Sequence, residues 1–255
     1  MKSLIYIFLF GITLHLLSCE TNEKSILPTT QDDSNEVVEY YEDGNIKSKG
    51  IVIQGLKQGL QTWYFEDGQI GVLANYVNDT LDGIYKEIYN NGVQKELISY
   101  SQGQKIDTSY SYYNTGELKR MVQYFSYKGS VITNTWKSFN ESGEIILDKS
   151  NYYELTGFKK NYKKDSDIEL GIHLIAPHFN SEMSVFLGDF NEKFSEFEEN
   201  IEKEINCENF KTKLKIPTYT EGDNSFRFVI IDYEVLLDST MKSKPIFVDL
   251  EYIVE

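Results

Sequence analysis

Cysteine and histidine are nearly missing from this chain of 255 residues, which has two of the first and three of the second. Two thiols cannot build the disulfide framework of a small exported domain, and neither residue type is clustered enough for a zinc site. His173 and His178 stand five apart, a spacing that suits neither one face of a strand nor the i,i+4 geometry of a helix. Basic residues are also short, 25 against 40 acidic ones, for a net charge of −15. Nucleic acid and anionic lipid head groups are therefore poor general partners, because phosphate contact needs clustered Lys and Arg. No Gly-x-Ser-x-Gly elbow and no phosphate-binding glycine loop occurs. Glu42-Asp43-Gly44 and Glu66-Asp67-Gly68 lack the ligand spacing of a calcium loop and read as turns. Asp and Glu are numerous enough to form a glycosidase pair in space, but no local pattern selects two of them. No catalytic residue, metal site or cofactor is expected.

What is present begins with an export signal. Leu4 to Leu17 form an apolar run behind Lys2, too short to be read as a spanning helix. Leu16-Leu17-Ser18-Cys19 follows and resembles the bacterial lipobox, which makes Cys19 the expected lipidation site, with residues 1–18 removed. An anchor of more than one acyl chain suffices for stable membrane attachment. The alternative is an ordinary cleaved signal with a coincidental cysteine. The polar stretch 20–36 reads as a flexible tether. Cys207 is then the one other thiol, and an inert, partly buried side chain is the simplest account of it.

The strongest feature is a period. Gly44, Gly68, Gly92 and Gly116 stand 24 residues apart, and each closes an aromatic pair (Ile88-Tyr89 before Gly92) plus two polar residues, as in Tyr40-Tyr41-Glu42-Asp43-Gly44 and Tyr112-Tyr113-Asn114-Thr115-Gly116. Phe139-Asn140-Glu141-Ser142-Gly143 is a fifth copy displaced by a short insertion. Tyr76, Tyr100 and Tyr124 keep the same interval. A second turn recurs between units, at Gly55…Gly59, then Asp79…Gly83, then Gly103…Asp107. Asp-Gly and Asn-Gly between aromatic and β-branched runs predict hairpins. Each unit of such an array buries its apolar face only against its neighbours. In Tyr41, Phe65, Tyr89 and Tyr113 the aromatics read as a stacked ladder that holds the hairpins together. The adjacent Tyr40, Tyr64, Ile88 and Tyr112 fall on the opposite face. A groove for peptide or glycan along either stripe is the competing reading, with Tyr40, Tyr64, Tyr112, Tyr41, Phe65, Tyr89 and Tyr113 as its contacts.

The form Tyr-Tyr-x-x-Gly-x-Ile-Lys, a strand, then x-Gly-x-x-x-Gly and a further aromatic pair, resembles the bacterial MORN-repeat variant. Tyr40 to Leu60 and Trp63 to Tyr85 carry the resemblance best, 88–113 well and 112–146 in part, so it covers about 37–150. It implies successive hairpins in a long single-layer or curved sheet. Many bacterial members carry an antitoxin-like label, and eukaryotic relatives are described as lipid-associated or scaffolding modules.

The period stops near residue 154, and 155–255 reads as a separate β-rich, sandwich-like domain after the lysine-rich link Lys159 to Lys164. Strands are expected at Ile168 to Ile175, Met183 to Leu187, Phe210 to Ile216, Phe226 to Leu237 and Ile246 to Val254. Phe186, Phe190, Phe194, Phe197, Ile201 and Ile205 have helical spacing, with glutamates between them, and predict one helix over about 189–206. The organisation expected is thus mainly β: signal 1–18, tether 19–36, hairpin array 37–154 and C-terminal domain 155–255. The function expected is a non-catalytic lipoprotein of the bacterial cell envelope, binding or spacing an unknown protein partner, with the membrane reached through the lipid and no role for nucleic acid. The alternative is an immunity or antitoxin-type protein that neutralises a cognate toxin, and an enzyme acting on glycans or peptides comes third.

Overall fold

A computed structural model describes residues 34–179, 182–191, 194, 201–218, 220–236, 238 and 240–255. Cys19, the signal and the tether up to residue 33 lie outside the described residues. Ser34–Glu255 is one compact unit.

Nine antiparallel strands follow one another in sequence order to form a single sheet. They are β1 (Ser34–Tyr40), β2 (Ile46–Ile53), β3 (Leu56–Tyr64), β4 (Ile70–Val77), β5 (Thr80–Ile88), β6 (Gln94–Ser101), β7 (Gln104–Tyr112), β8 (Leu118–Tyr127) and β9 (Ser130–Ser138). Residues 34–36, assigned to the tether from sequence, are therefore the start of β1. Two kinds of turn alternate along the sheet. At one edge lie the periodic glycines: in the first, Gly44 N–H donates to Tyr41 O, Tyr41 N–H donates to Asn45 O, and Gly44 has φ +87°. The polar residue before the glycine also works, since Asp43 Oδ1 accepts the Asn45 N–H at 3.0 Å and Asp67 Oδ1 accepts the Gln69 N–H at 3.0 Å. At the other edge lie two-residue turns with positive φ at both positions, namely Gln54-Gly55, Asn78-Asp79, Gln102-Gly103 and Lys128-Gly129. This conformation matches the right-handed strand twist and explains why Asn, Asp and Gly gather there. Gly59, Gly83 and Asp107, also at positive φ, sit at bulges just beyond these turns.

The C-terminal region forms two further sheets. The first joins β10 (Tyr153–Thr156), β12 (Asp167–Leu174) and β15 (Lys211–Pro217). The second has the order β11-β17-β16-β13-β14, from β11 (Asn161–Tyr162), β13 (Glu182–Gly188), β14 (Ile201–Asn206), β16 (Gly222–Val235) and β17 (Met241–Val254). Alternate residues of both sheets meet in one core, with Ile168, Leu170 and Ile172 on β12 facing Phe228, Ile230, Ile246 and Val248 on β16 and β17. That interdigitation makes a sandwich. The five expected strands are all present.

Among the described residues of 189–206 the expected helix is not found. Ile201–Asn206 is strand β14, paired antiparallel with β13, and residues 189–191 are irregular. Phe194 has φ +50°, outside the right-handed helical region. The remainder of that segment lies outside the described residues. Its helical spacing has another cause: Phe186 belongs to β13, Phe190 and Phe194 belong to a separate apolar cluster, and Ile205 leans on the sandwich core. Phe186 also packs on that cluster, so the described members of the pattern divide between two environments.

Candidate interaction surface

Cross-strand partners share a face, and so do residues i and i+2, which sorts the array into two surfaces. On the first, the register runs Gly50, Gln61, Ala74, Tyr85, Ile98 from β2 to β6. Gln61, Ala74 and Ile98 are buried. Their aromatic neighbours shield one another: Trp63 and Tyr76 meet edge-on at 6.3 Å, and Tyr85 and Tyr100 at 6.4 Å. Lys57 lies over both Trp63 and Tyr76, and Lys105 lies over Tyr124. Shallow polar grooves open here, one of about 390 Å³ that includes Lys57, Gln61 and Trp63, and one of about 280 Å³ that includes Lys105, Ser109 and Ser111, the same positions two repeats later. Burial and the neighbouring glutamates raise the Tyr85 pKa, and burial raises that of Tyr100, so both phenols stay neutral.

The second face is aliphatic. One row runs Lys49, Thr62, Leu73, Lys86, Leu97, Tyr110, Met121, Lys137 across β2 to β9. Nearer the two-residue turns, Ile51, Leu56, Leu60, Val77, Ile84 and Ile106 share this face and are 37–50 % exposed.

The aromatic pairs singled out in the sequence lie beside the glycine turns. Tyr41 Oη donates to Tyr64 O at 2.6 Å, Tyr89 Oη to Tyr112 O at 3.0 Å, and Tyr113 Oη to Phe139 O at 2.8 Å. Each ladder hydroxyl thus caps a carbonyl one repeat on. Phe65, which has no hydroxyl, lays its ring over Gly71, whose missing Cβ would stand 3.1 Å away. Tyr40 is exposed, while Tyr64 and Tyr112 are half-buried and lend their carbonyls to this ladder. Sequence reasoning did not single out the aliphatic face. Its signal was the recurrence of Leu60 and Ile84 at the same 24-residue interval.

At its far end the aliphatic face is covered. Strand β8 has ten residues where β6 has eight, and its last three include Phe125 and Tyr127, which stack on Phe247 of β17 at 4.9 Å each. Ile132, opposite Phe125, joins the same cluster with Phe190, Phe194 and Val229. The bulge residue Asn134 clasps β17: its Nδ2 donates to Phe247 O at 2.9 Å, and its Oδ1 accepts the Phe247 N–H at 2.8 Å. Lys244 reaches from β17 to donate to Thr133 O and lies over Trp136. Burial holds its pKa below the usual lysine range. Asn151 exchanges backbone hydrogen bonds with Trp136, and its Nδ2 donates to Ala176 O at 3.0 Å. The insertion that displaces the fifth glycine therefore builds the joint between array and sandwich.

Among the described residues no group of three or more His, Cys, Asp and Glu is placed to hold a metal ion. Burial pushes the Cys207 thiol up to about 11, so it is not a thiolate at neutral pH. His173 lies on β12, where burial and then the Lys211 charge lower its pKa. His178 packs edge-on against Trp136 at the joint. Buried Asp232 accepts N–H groups from His178 and Phe179 on Oδ2, and its Oδ1 has no partner.

Residues 35–52 and 57–78 match the MORN repeat variant. The match covers β1 to β4, and the hairpin geometry continues at the same period well past it. Later units depart at the residues that define the pattern, with Ile88 at an aromatic position and Asp107 where earlier units have glycine. Neither curated proteins nor solved structures give a match.

Proposed function

We propose that this protein is a non-catalytic interaction and spacer module, held at a bacterial cell envelope by a lipid on Cys19. The observation that carries the reading is the single-layer sheet. From β1 to β7 each strand packs on its sequence neighbours, and both faces present side chains to solvent over seven strands. A MORN-type array offers surface area at a fixed spacing of ~5 Å per strand, which suits recognition of an extended partner. The sandwich at its far end closes the array and fixes its orientation.

Two measurements test this. Metabolic labelling with a lipid analogue should mark the wild-type protein and not Cys19→Ala; label that persists in the variant sinks the anchor. Excision of residues 57–80, one full period, should preserve the fold while changing the cross-linked partners of the full-length protein. An unchanged set of partners would reject the array as the binding element. Appearance of a toxin as the captured partner would establish the immunity-type role instead.

A further inference from the structure

Resting on that reading, we infer that the aliphatic face is the contact surface, and that its partner is an amphipathic protein segment whose aliphatic side chains are flanked by carboxylates. Three observations converge. The face is the direct continuation of an interface already made: Phe125, Tyr127 and Ile132 on it are covered by the sandwich, while Ile106, Ile84 and Leu60 carry the same surface onward uncovered. Exposed aliphatics on one face of a sheet form a contiguous patch of the kind that marks contact sites. The opposite face is different, because its aromatics and lysines satisfy one another.

Charge selects the partner. In a chain of net charge −15, the strand row beside the patch carries Lys49, Lys86 and Lys137. Lys49 pairs with Glu36 at 2.9 Å and Lys137 lies over Tyr152, whereas Lys86 has no ion pair among the described residues. At the turn edge two carboxylates, still charged, are held by backbone groups: Asp79 Oδ1 accepts the Lys57 N–H and Asp82 Oδ2 the Gln102 N–H. Apolar surface beside the unpaired Lys86 ammonium complements aliphatic surface flanked by a carboxylate. A second copy is a worse fit, since apposing two such faces brings lysine rows together on two acidic chains.

The probes are two synthetic amphipathic helices with the same leucine face, one flanked by glutamates and the other by lysines. They are titrated against the full chain by fluorescence anisotropy. The glutamate peptide should bind, weaken as salt rises, and lose at least tenfold in affinity with Leu60→Glu plus Ile84→Glu. Those positions are exposed, so circular dichroism should be unchanged. Lys86→Glu should weaken it several-fold, and Lys57→Glu on the opposite face should not. Equal binding of both peptides overturns the inference, as does binding of neither. Self-association in sedimentation velocity that Leu60→Glu plus Ile84→Glu abolishes assigns the face to a second copy and overturns it too. Binding of phosphatidylglycerol vesicles in place of the glutamate peptide assigns it to lipid, with the same consequence. If excising residues 57–80 alters the partners while the face substitutions do not, the inference fails and the interaction reading stands.

Discussion

The hairpin array and the sandwich solve the same problem in opposite ways. In the sandwich two sheets press alternate side chains into one core, and Leu170, Val185, Phe228, Ile230 and Ile246 are fully buried. In the array one sheet stands alone, and over β1 to β7 its fully enclosed apolar side chains reduce to Ala74 and Ile98. The sandwich keeps its shape by burying apolar area. The array keeps its shape by repeating turns, ladder hydroxyls and edge-on aromatic pairs, which leaves its faces free. The lesson is that the region with the weaker core is the one with surface to offer.

Substitutions should break the two regions differently. The largest effect belongs to the sandwich: Phe228→Ala should cost about 3–5 kcal/mol in denaturant unfolding, because it opens a cavity in a closed core. Ile98→Ala in the array should cost about 2 kcal/mol, since the single layer can relax around it. Next comes the joint. Asn134→Ala leaves the Phe247 N–H and C=O without their clasp, at about 2 kcal/mol, and should split thermal unfolding into two transitions. A single unchanged transition would show that the aromatic stack alone couples the regions. Gly68→Ala should cost ~1 kcal/mol from its φ of +83° alone, because nothing lies within 4 Å of the added carbon. The smallest effect is expected for Tyr41→Phe, about 0.5–1 kcal/mol for one hydroxyl bond, as the phenylalanine already at position 65 suggests.

The joint should also respond to pH. Burial raises the Asp232 pKa above the usual 3.8, against the opposing pull of the Phe179 and His178 N–H groups. On the neighbouring strands Asp232 faces Met183 and Lys244, whose ammonium is engaged elsewhere. A raised carboxylate pKa means that the folded state holds its proton more tightly. The cost is therefore complete above the folded pKa and is relieved as pH falls toward the unfolded value. Asp232→Asn should raise Tm at neutral pH, and that gain should shrink on acidification toward pH 4. A gain that does not change with pH would remove the charge from the explanation.

The array was legible because its signal is local and repeated. Asp67-Gly68 or Asn91-Gly92 states its own backbone conformation, and four copies fix the period. The strands of the sandwich were legible for a similar reason, as in the apolar run Phe228-Val229-Ile230-Ile231. What could not be read was tertiary. The segment from Phe186 to Ile205 has helical spacing, but Phe186, Phe190 and Phe194 serve the joint and Ile201 and Ile205 an edge strand, a division made by distant partners. The same holds for Phe125, Tyr127 and Asn134, which look like a damaged repeat until β17 lies against them. The ladder tyrosines were found and the aliphatic face was overlooked, because aromatics stand out in sequence and a face appears only when register is known.

Ile84 and Tyr85 are adjacent in sequence and point to opposite faces, so they offer the most direct test. A photo-cross-linking amino acid placed at each, in the full-length protein in its own cell, reads out the two surfaces separately. The expected result is one defined protein product from position 84, reduced several-fold with Lys86→Glu, and none from position 85. Products from position 85 alone, or the same products from both, would contradict an interaction module that works through its aliphatic face.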